Sequence, residues 1–242
     1  SNRVNLFISS GDRAHPLNHK DHGLANGAVL DRIYMIKDYI DDQSALPPTV
    51  LDESYLLDVT VNELDDPATS ATRVAELQAK LTNDPWTTTD GTAGMYGWYI
   101  KLSTNPGEKA LSPPLELLGY LMQTTYSPNT NIEDPCEAGN QGVARFYALS
   151  AVSGRSALDL NGDNTIDADD RATDVGGGIP PEVTPIVTNE GVKVIMVVES
   201  TGDDTAILDG TVTEEAEDAG IEPVTFGVTE IGTIYPVYWM QW

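Results

Sequence analysis

Ser112-Pro113-Pro114-Leu115-Glu116-Leu117-Leu118-Gly119-Tyr120-Leu121-Met122 is followed, about 25 residues on, by Arg145-Phe146-Tyr147-Ala148-Leu149-Ser150-Ala151-Val152-Ser153-Gly154. Each stretch is a run of aromatic and aliphatic residues bounded by Pro, Ser and Gly, the pattern of a strand ended by a tight turn. Outward from this pair the same pattern recurs. Val4–Ser9, Arg32–Lys37, Trp98–Leu102, Leu115–Thr125, Val143–Leu149, Val183–Val187, Val192–Glu199 and Thr233–Trp239 all read as strands of ordinary length. Two segments differ. Thr69–Leu81 sets Val74, Leu77 and Leu81 at helical spacing behind Ser70 or Thr72, and Asp84-Pro85 ends it. Asp38–Leu64, acidic and broken by Pro47-Pro48, reads as an excursion loop.

The order of apolar strand, turn and apolar strand, entered through Ser-Pro, is that of a propeller blade. A fainter copy runs from Pro180 through Val198 to Leu208, and an earlier one joins Asn5–Ser9, Asp31–Lys37 and Trp98–Leu102. The expected fold is therefore all-β: about three blades of a quinoprotein-like β-propeller with a long loop and a short helix inserted, in units 1–102, 103–158 and 172–242. Three blades do not close, since propellers use about four to eight. The chain is accordingly expected to be the C-terminal part of a larger propeller. A self-contained β-sandwich is the alternative.

The chain has 242 residues, with 13 Lys+Arg against 38 Asp+Glu, a formal charge of −25. Such a surface repels phosphate backbones, so a nucleic-acid partner is not expected. Nor does any apolar run approach the ~18 residues of a membrane helix. The acidity is uneven: Asp38–Asp66 holds nine acids, Asp159–Asp170 five and Glu199–Glu222 nine, with no Lys or Arg in any of the three. The outer two read as solvated faces.

The middle one carries chemistry. In Asp159-Leu160-Asn161-Gly162-Asp163-Asn164-Thr165-Ile166-Asp167-Ala168-Asp169-Asp170, oxygen ligands fall at positions 1, 3, 5, 9 and 12. These are Asp159, Asn161, Asp163, Asp167 and Asp170, with the Thr165 carbonyl at 7 and Ile166 as an apolar plug at 8. That is the spacing of an EF-hand-type loop for Ca²⁺, an ion that takes about six to eight hard oxygens. Asn164 stands where Gly is usual, and tolerates the left-handed backbone that position needs. Asp170 replaces the usual Glu, as in dockerin-like variants, and no amphipathic helix precedes the loop, which argues against a paired EF-hand.

Other candidates are weaker. His15, His19 and His22 with Asp12 and Asp21 could ligate a transition metal or be surface histidines of an exposed loop. Cys136, alone and beside Glu137, supports neither a disulfide nor a catalytic thiolate. No nucleophile elbow, P-loop or dinucleotide fingerprint occurs, and an enzyme is not expected.

Several segments together resemble a known family. Ser9-Ser10-Gly11-Asp12-Arg13-Ala14-His15-Pro16-Leu17 with Asp31–Asp38, Gly97-Trp98-Tyr99-Ile100-Lys101-Leu102 with Gly107–Pro114, and Thr124–Pro128 with Asp134–Gly139 and Phe146–Leu149 occur in collinear order. This order resembles the C-terminal propeller domain of PilY-type proteins, calcium-dependent tip adhesins and biogenesis factors of bacterial type IV pili. The resemblance implies an extracellular protein at the pilus tip, seated on minor pilins or on the rest of its own propeller, and touching host or abiotic surfaces. It also implies a role in pilus assembly and retraction. The family's calcium loop usually lies earlier in the propeller, so Asp159–Asp170 would be a second, structural site. Two other readings stay open: a fragment of a quinone-dependent propeller dehydrogenase, and a secreted calcium-stabilised carbohydrate-binding module with Trp86, Trp98 or Tyr238 as sugar platforms.

Overall fold

A computed structural model describes residues 3–18, 30–39, 50–86, 92–128, 142–188, 191–199 and 221–228. The fold is mostly strand, in two sheets, with one α-helix and two short 3-10 turns among these residues. His19, Asp21, His22, Cys136 and the expected strand Thr233–Trp239 lie outside them.

The first sheet is built by β1 (Arg3–Ser9), β2 (Arg32–Tyr39), β3 (Leu57–Asp58) and β4 (Gly97–Lys101) in the order β1-β2-β4-β3. Period-2 alternation fixes which face is inward. Ile33, Met35, Trp98 and Ile100 point into a core that they share with the α-helix, whereas Val4, Leu6 and Ile8 on the edge strand stand 43%, 44% and 49% exposed.

The helix, α1 (Ala71–Thr82), begins where Ser70 Oγ accepts the Arg73 N–H and buries Leu77 and Leu81. Its C-terminal end attracts a cation from another element: Lys37 Nζ of β2 donates to Leu81 O of the last turn at 2.6 Å, and also to Met95 O, outside the helix, at 3.0 Å. The expected loop Asp38–Leu64 is partly structured. Asp38 and Tyr39 finish β2, Glu53–Tyr55 form a 3-10 turn, and β3 pairs in parallel with β4. Burial of Leu56, Leu57, Val59 and Leu64 outweighs the local acidity.

The second sheet comprises β5 (Lys109–Ala110), β6 (Leu115–Leu117), β7 (Tyr120–Ser127), β8 (Val143–Ser150), β9 (Ala172–Gly177), β10 (Thr184–Thr188), β11 (Gly191–Glu199) and β12 (Ile221–Val228). Its order is β10-β11-β9-β8-β7-β5, with β12 on β11 and β6 on β7. Its centre is buried on both faces. Leu121, Tyr147 and Leu149 face the core shared with the first sheet, while Met122, Phe146 and Ala148 pack under Leu160 and Val183 on the other side. The two sheets are tied by backbone as well: Ala110 N donates to Ser10 O at 3.1 Å, and buried Lys109 donates from Nζ to the carbonyls of Pro16 and Asn18. No closed ring of blades is formed by the described residues.

Leu115–Thr125, expected as one strand, is two. Leu118 and Gly119 have φ of 55° and 86°, and Leu117 pairs with Tyr120, which makes a two-residue hairpin with both central residues left-handed. Leu118, 50% exposed, makes this turn against its own stereochemistry. Leu118→Asn is expected to stabilise the protein by about 1 kcal/mol, because Asn tolerates the left-handed region where Leu does not. At this chain length that is a rise of about 2–4 °C in melting temperature, read by thermal circular dichroism.

Candidate functional site

The acidic loop leaves β8 through a tight turn. Gly154 N donates to Ser150 O at 2.8 Å, and Gly154 has a φ of 66°. A Cβ there would lie 3.0 Å from Val59 Cγ2 and 3.2 Å from the Trp98 ring, so only glycine lets the turn lie against the first sheet's core. Ser156 then bridges to Leu149, and Asp65 fastens the turn, accepting from Arg155 Nε at 2.5 Å and from the Ser156 N–H at 2.9 Å. The loop therefore starts from a fixed base.

Within it the side chains coil the backbone. Asp159 accepts from the Gly162 and Asn164 amides at 2.7 and 2.8 Å, Asn161 Oδ1 from the Asp163 amide at 2.9 Å, and Asp163 Oδ1 from the Thr165 amide at 2.8 Å. Asn164 has a φ of 67°, the left-handed conformation expected of it. The hydroxyl and amide of Thr165 hold the exposed Asp163 carboxyl below its ordinary range.

Asp170, fully buried, closes the loop: Oδ1 accepts from Leu160 and Asn161 N–H at 2.8 and 3.1 Å, and Oδ2 from Asp167 N–H at 2.9 Å. Ligand oxygens of Asp159, Asp163 and Asp170 all lie within 4.8 Å of one another. Two oxygens bound to one Ca²⁺ at about 2.3–2.6 Å can be no more than about 5 Å apart, so the three match the span of a single ion.

One expected ligand and the expected plug are placed differently. Asp167 is not in this group; its carboxylate caps the 3-10 turn Ala168–Arg171, accepting from Asp169 N–H at 2.9 Å. An EF-hand loop often reaches its ninth position through water, which leaves room for that arrangement. Ile166 is not a plug: it is 55% exposed, and Leu160, at 2%, takes the core position instead. The reason is direction, since Leu160 points back toward Phe146 and Val175 while Ile166 sits at the loop's outer bend.

Trp98, offered above as a sugar platform, has no exposed surface, and its Nε1 donates to Ala151 O at 3.3 Å. Trp86 stacks edge-on against Tyr39 at 4.5 Å, and Tyr238 lies outside the described residues. Of the proposed histidine cluster, exposed His15 pairs with Asp12 at 2.8 Å.

Sequence reasoning missed what lies on the other side of that 3-10 turn. A cleft of ≈ 290 Å³ is lined by Thr60, Lys101, Thr104, Arg145, Tyr147 and Arg171 among others. Arg171 donates from Nε and Nη2 to Gly154 O and from Nη1 to Thr60 O, at 2.8 to 3.1 Å. Burial pulls its guanidinium down to about 10. Behind the cleft, fully buried Glu108 accepts from the Thr125 and Tyr147 hydroxyls, both at 2.8 Å, and burial with this neighbour pushes the Tyr147 phenol up. The only local hint was a charged residue, Arg145, inside an otherwise apolar strand.

Compared with known protein families, curated proteins and solved structures, the chain gives no match. Among the described residues no helix is long and apolar enough to cross a membrane.

Proposed function

We propose that this chain is a non-enzymatic calcium-binding module whose acidic loop, 159–170, holds one Ca²⁺ and thereby fastens the second sheet. The observation that carries this reading is the convergence of Asp159, Asp163 and Asp170 oxygens within 4.8 Å. The donor set consists of hard oxygens, which suit Ca²⁺ and not the softer metals that prefer Cys and His. Asn161 and the Thr165 carbonyl are the further ligands, and Asp167 acts through a water. Three like charges so close oppose one another unless a cation stands between them.

The wider role follows the resemblance to PilY-type proteins. In this reading the two sheets belong to a propeller of which this chain supplies about three blades, at the extracellular tip of a type IV pilus on minor pilins. There the calcium loop is structural.

Two measurements test the parts separately. Isothermal titration of the chelator-treated chain with Ca²⁺ is expected to show one site with a dissociation constant of roughly 10⁻⁴–10⁻³ M and weaker response to Mg²⁺. An absent heat, or equal response to both ions, overturns the metal reading. Capture of purified minor pilins by the immobilised chain tests the pilus reading, and no capture with or without Ca²⁺ overturns it.

A further inference from the structure

We propose that the cleft between Lys101, Arg145 and Arg171 binds an organic anion, specifically the carboxylate of an acidic monosaccharide unit such as a uronate. The first ground is charge. The chain has 13 basic residues against 38 acidic ones, yet three of the 13 line this one cleft.

The second ground is that the innermost charge has no ion-pair partner among the described residues. Lys101 is paired with Asp58 at 2.7 Å and Arg145 with Asp174 at 2.8 Å. Arg171 is only 8% exposed, and the carboxylates whose charges act on it, Asp65 and Asp58, are paired instead with Arg155 and Lys101. Its three hydrogen bonds go to neutral carbonyls. A buried guanidinium without a directly bonded carboxylate is costly, and carboxylate is the anion whose geometry matches its fork. Five N–H donors less three leave two for a ligand.

The third ground is the remaining lining. Thr60, Asn62, Ser103 and Thr104 border the same space, and ≈ 290 Å³ is close to the lower end, about 300 Å³, of small-molecule pockets. That combination suits one polyhydroxylated ring better than a fatty acid or a peptide. Asp169 also lines the cleft and disfavours an anion on its side, which leaves the inner end by Arg171 as the place for the carboxylate.

The proposal stands apart from the metal reading, because the titration can be run on the full chain whether or not calcium binds. The probes are D-glucuronate, D-glucose as the neutral sugar and acetate as the sugar-free carboxylate, followed by ligand-observed NMR and calorimetry. Glucuronate is expected to bind at least about tenfold more tightly than either control, since loss of one charge-assisted contact is worth about that factor. Arg145→Gln and Arg171→Lys should each weaken glucuronate about tenfold or more. Arg171 also ties two segments together, so if Arg171→Lys does not fold, Arg145→Gln and Thr104→Ala carry the test, with an unchanged melting temperature as the control for folding. Glucuronate binding no tighter than glucose or acetate overturns the proposal, as does full affinity in a folded Arg145→Gln chain.

Discussion

Adding calcium to about 10 mM is expected to raise the melting temperature of the chelator-treated chain by about 3–10 °C. A ligand that binds only the folded state stabilises it by RT ln(1 + [L]/Kd), which for a dissociation constant of roughly 10⁻⁴–10⁻³ M gives about 1.4–2.7 kcal/mol. At this length each kcal/mol moves the midpoint by about 2–4 °C. Asp159→Ala and Asp163→Ala should abolish the shift, because each removes an oxygen from the converging group. Asp170→Ala is expected to do more. Its two oxygens accept three backbone N–H groups, so its loss destabilises the chain even without metal, by about 1–3 kcal/mol for the donors left unsatisfied. Differential scanning fluorimetry with Ca²⁺, Mg²⁺ and chelator separates the two effects. A chain whose midpoint is indifferent to calcium would sink the metal reading.

Trp98→Ala should cost about 3–5 kcal/mol, a fall of roughly 6–20 °C in melting temperature. The ring is fully buried in the core shared by both sheets and α1, and it packs against the Gly154 turn. Trp98→Phe keeps most of the ring contact and loses the bond to Ala151 O, so about 1–2 kcal/mol is expected. Thermal circular dichroism measures both. A sugar platform on the surface would tolerate Ala with little change in stability, so a near-native midpoint for Trp98→Ala would show that the ring is not the core residue described above.

How much of this was legible in the sequence depends on how local the cause was. Helix α1 was readable because its N-cap, spacing and stop lie within fifteen residues of one another, and Leu77 and Leu81 are buried as that spacing demands. The acidic loop was readable for the same reason: its offsets are short and its turns are made by its own side chains. Strand β9, by contrast, ends in Gly176 and Gly177 and is absent from the strands the sequence suggests; pairing with β8 makes it a strand. The two strands of Leu115–Thr125 were merged because Leu118 is a poor hairpin residue that the ladder nonetheless holds left-handed. Ile166 and Leu160 exchanged roles because which of two apolar residues turns inward depends on what the loop packs against. Thr60, Lys101, Arg145 and Arg171 come from four distant segments, and no local motif could have announced their cleft.

Asp170 and Arg171 are neighbours, one sewing the acidic loop shut and the other clasping Thr60 and Gly154. This adjacency makes the protein's resistance to trypsin a gauge of the loop. The bond after Arg171 suits that protease, but it is shielded as long as the side chain stays where it is, 8% exposed. Chelation that loosens Asp170 should therefore show on a gel as a new cut between Arg171 and Ala172, with calcium protecting the chain from it.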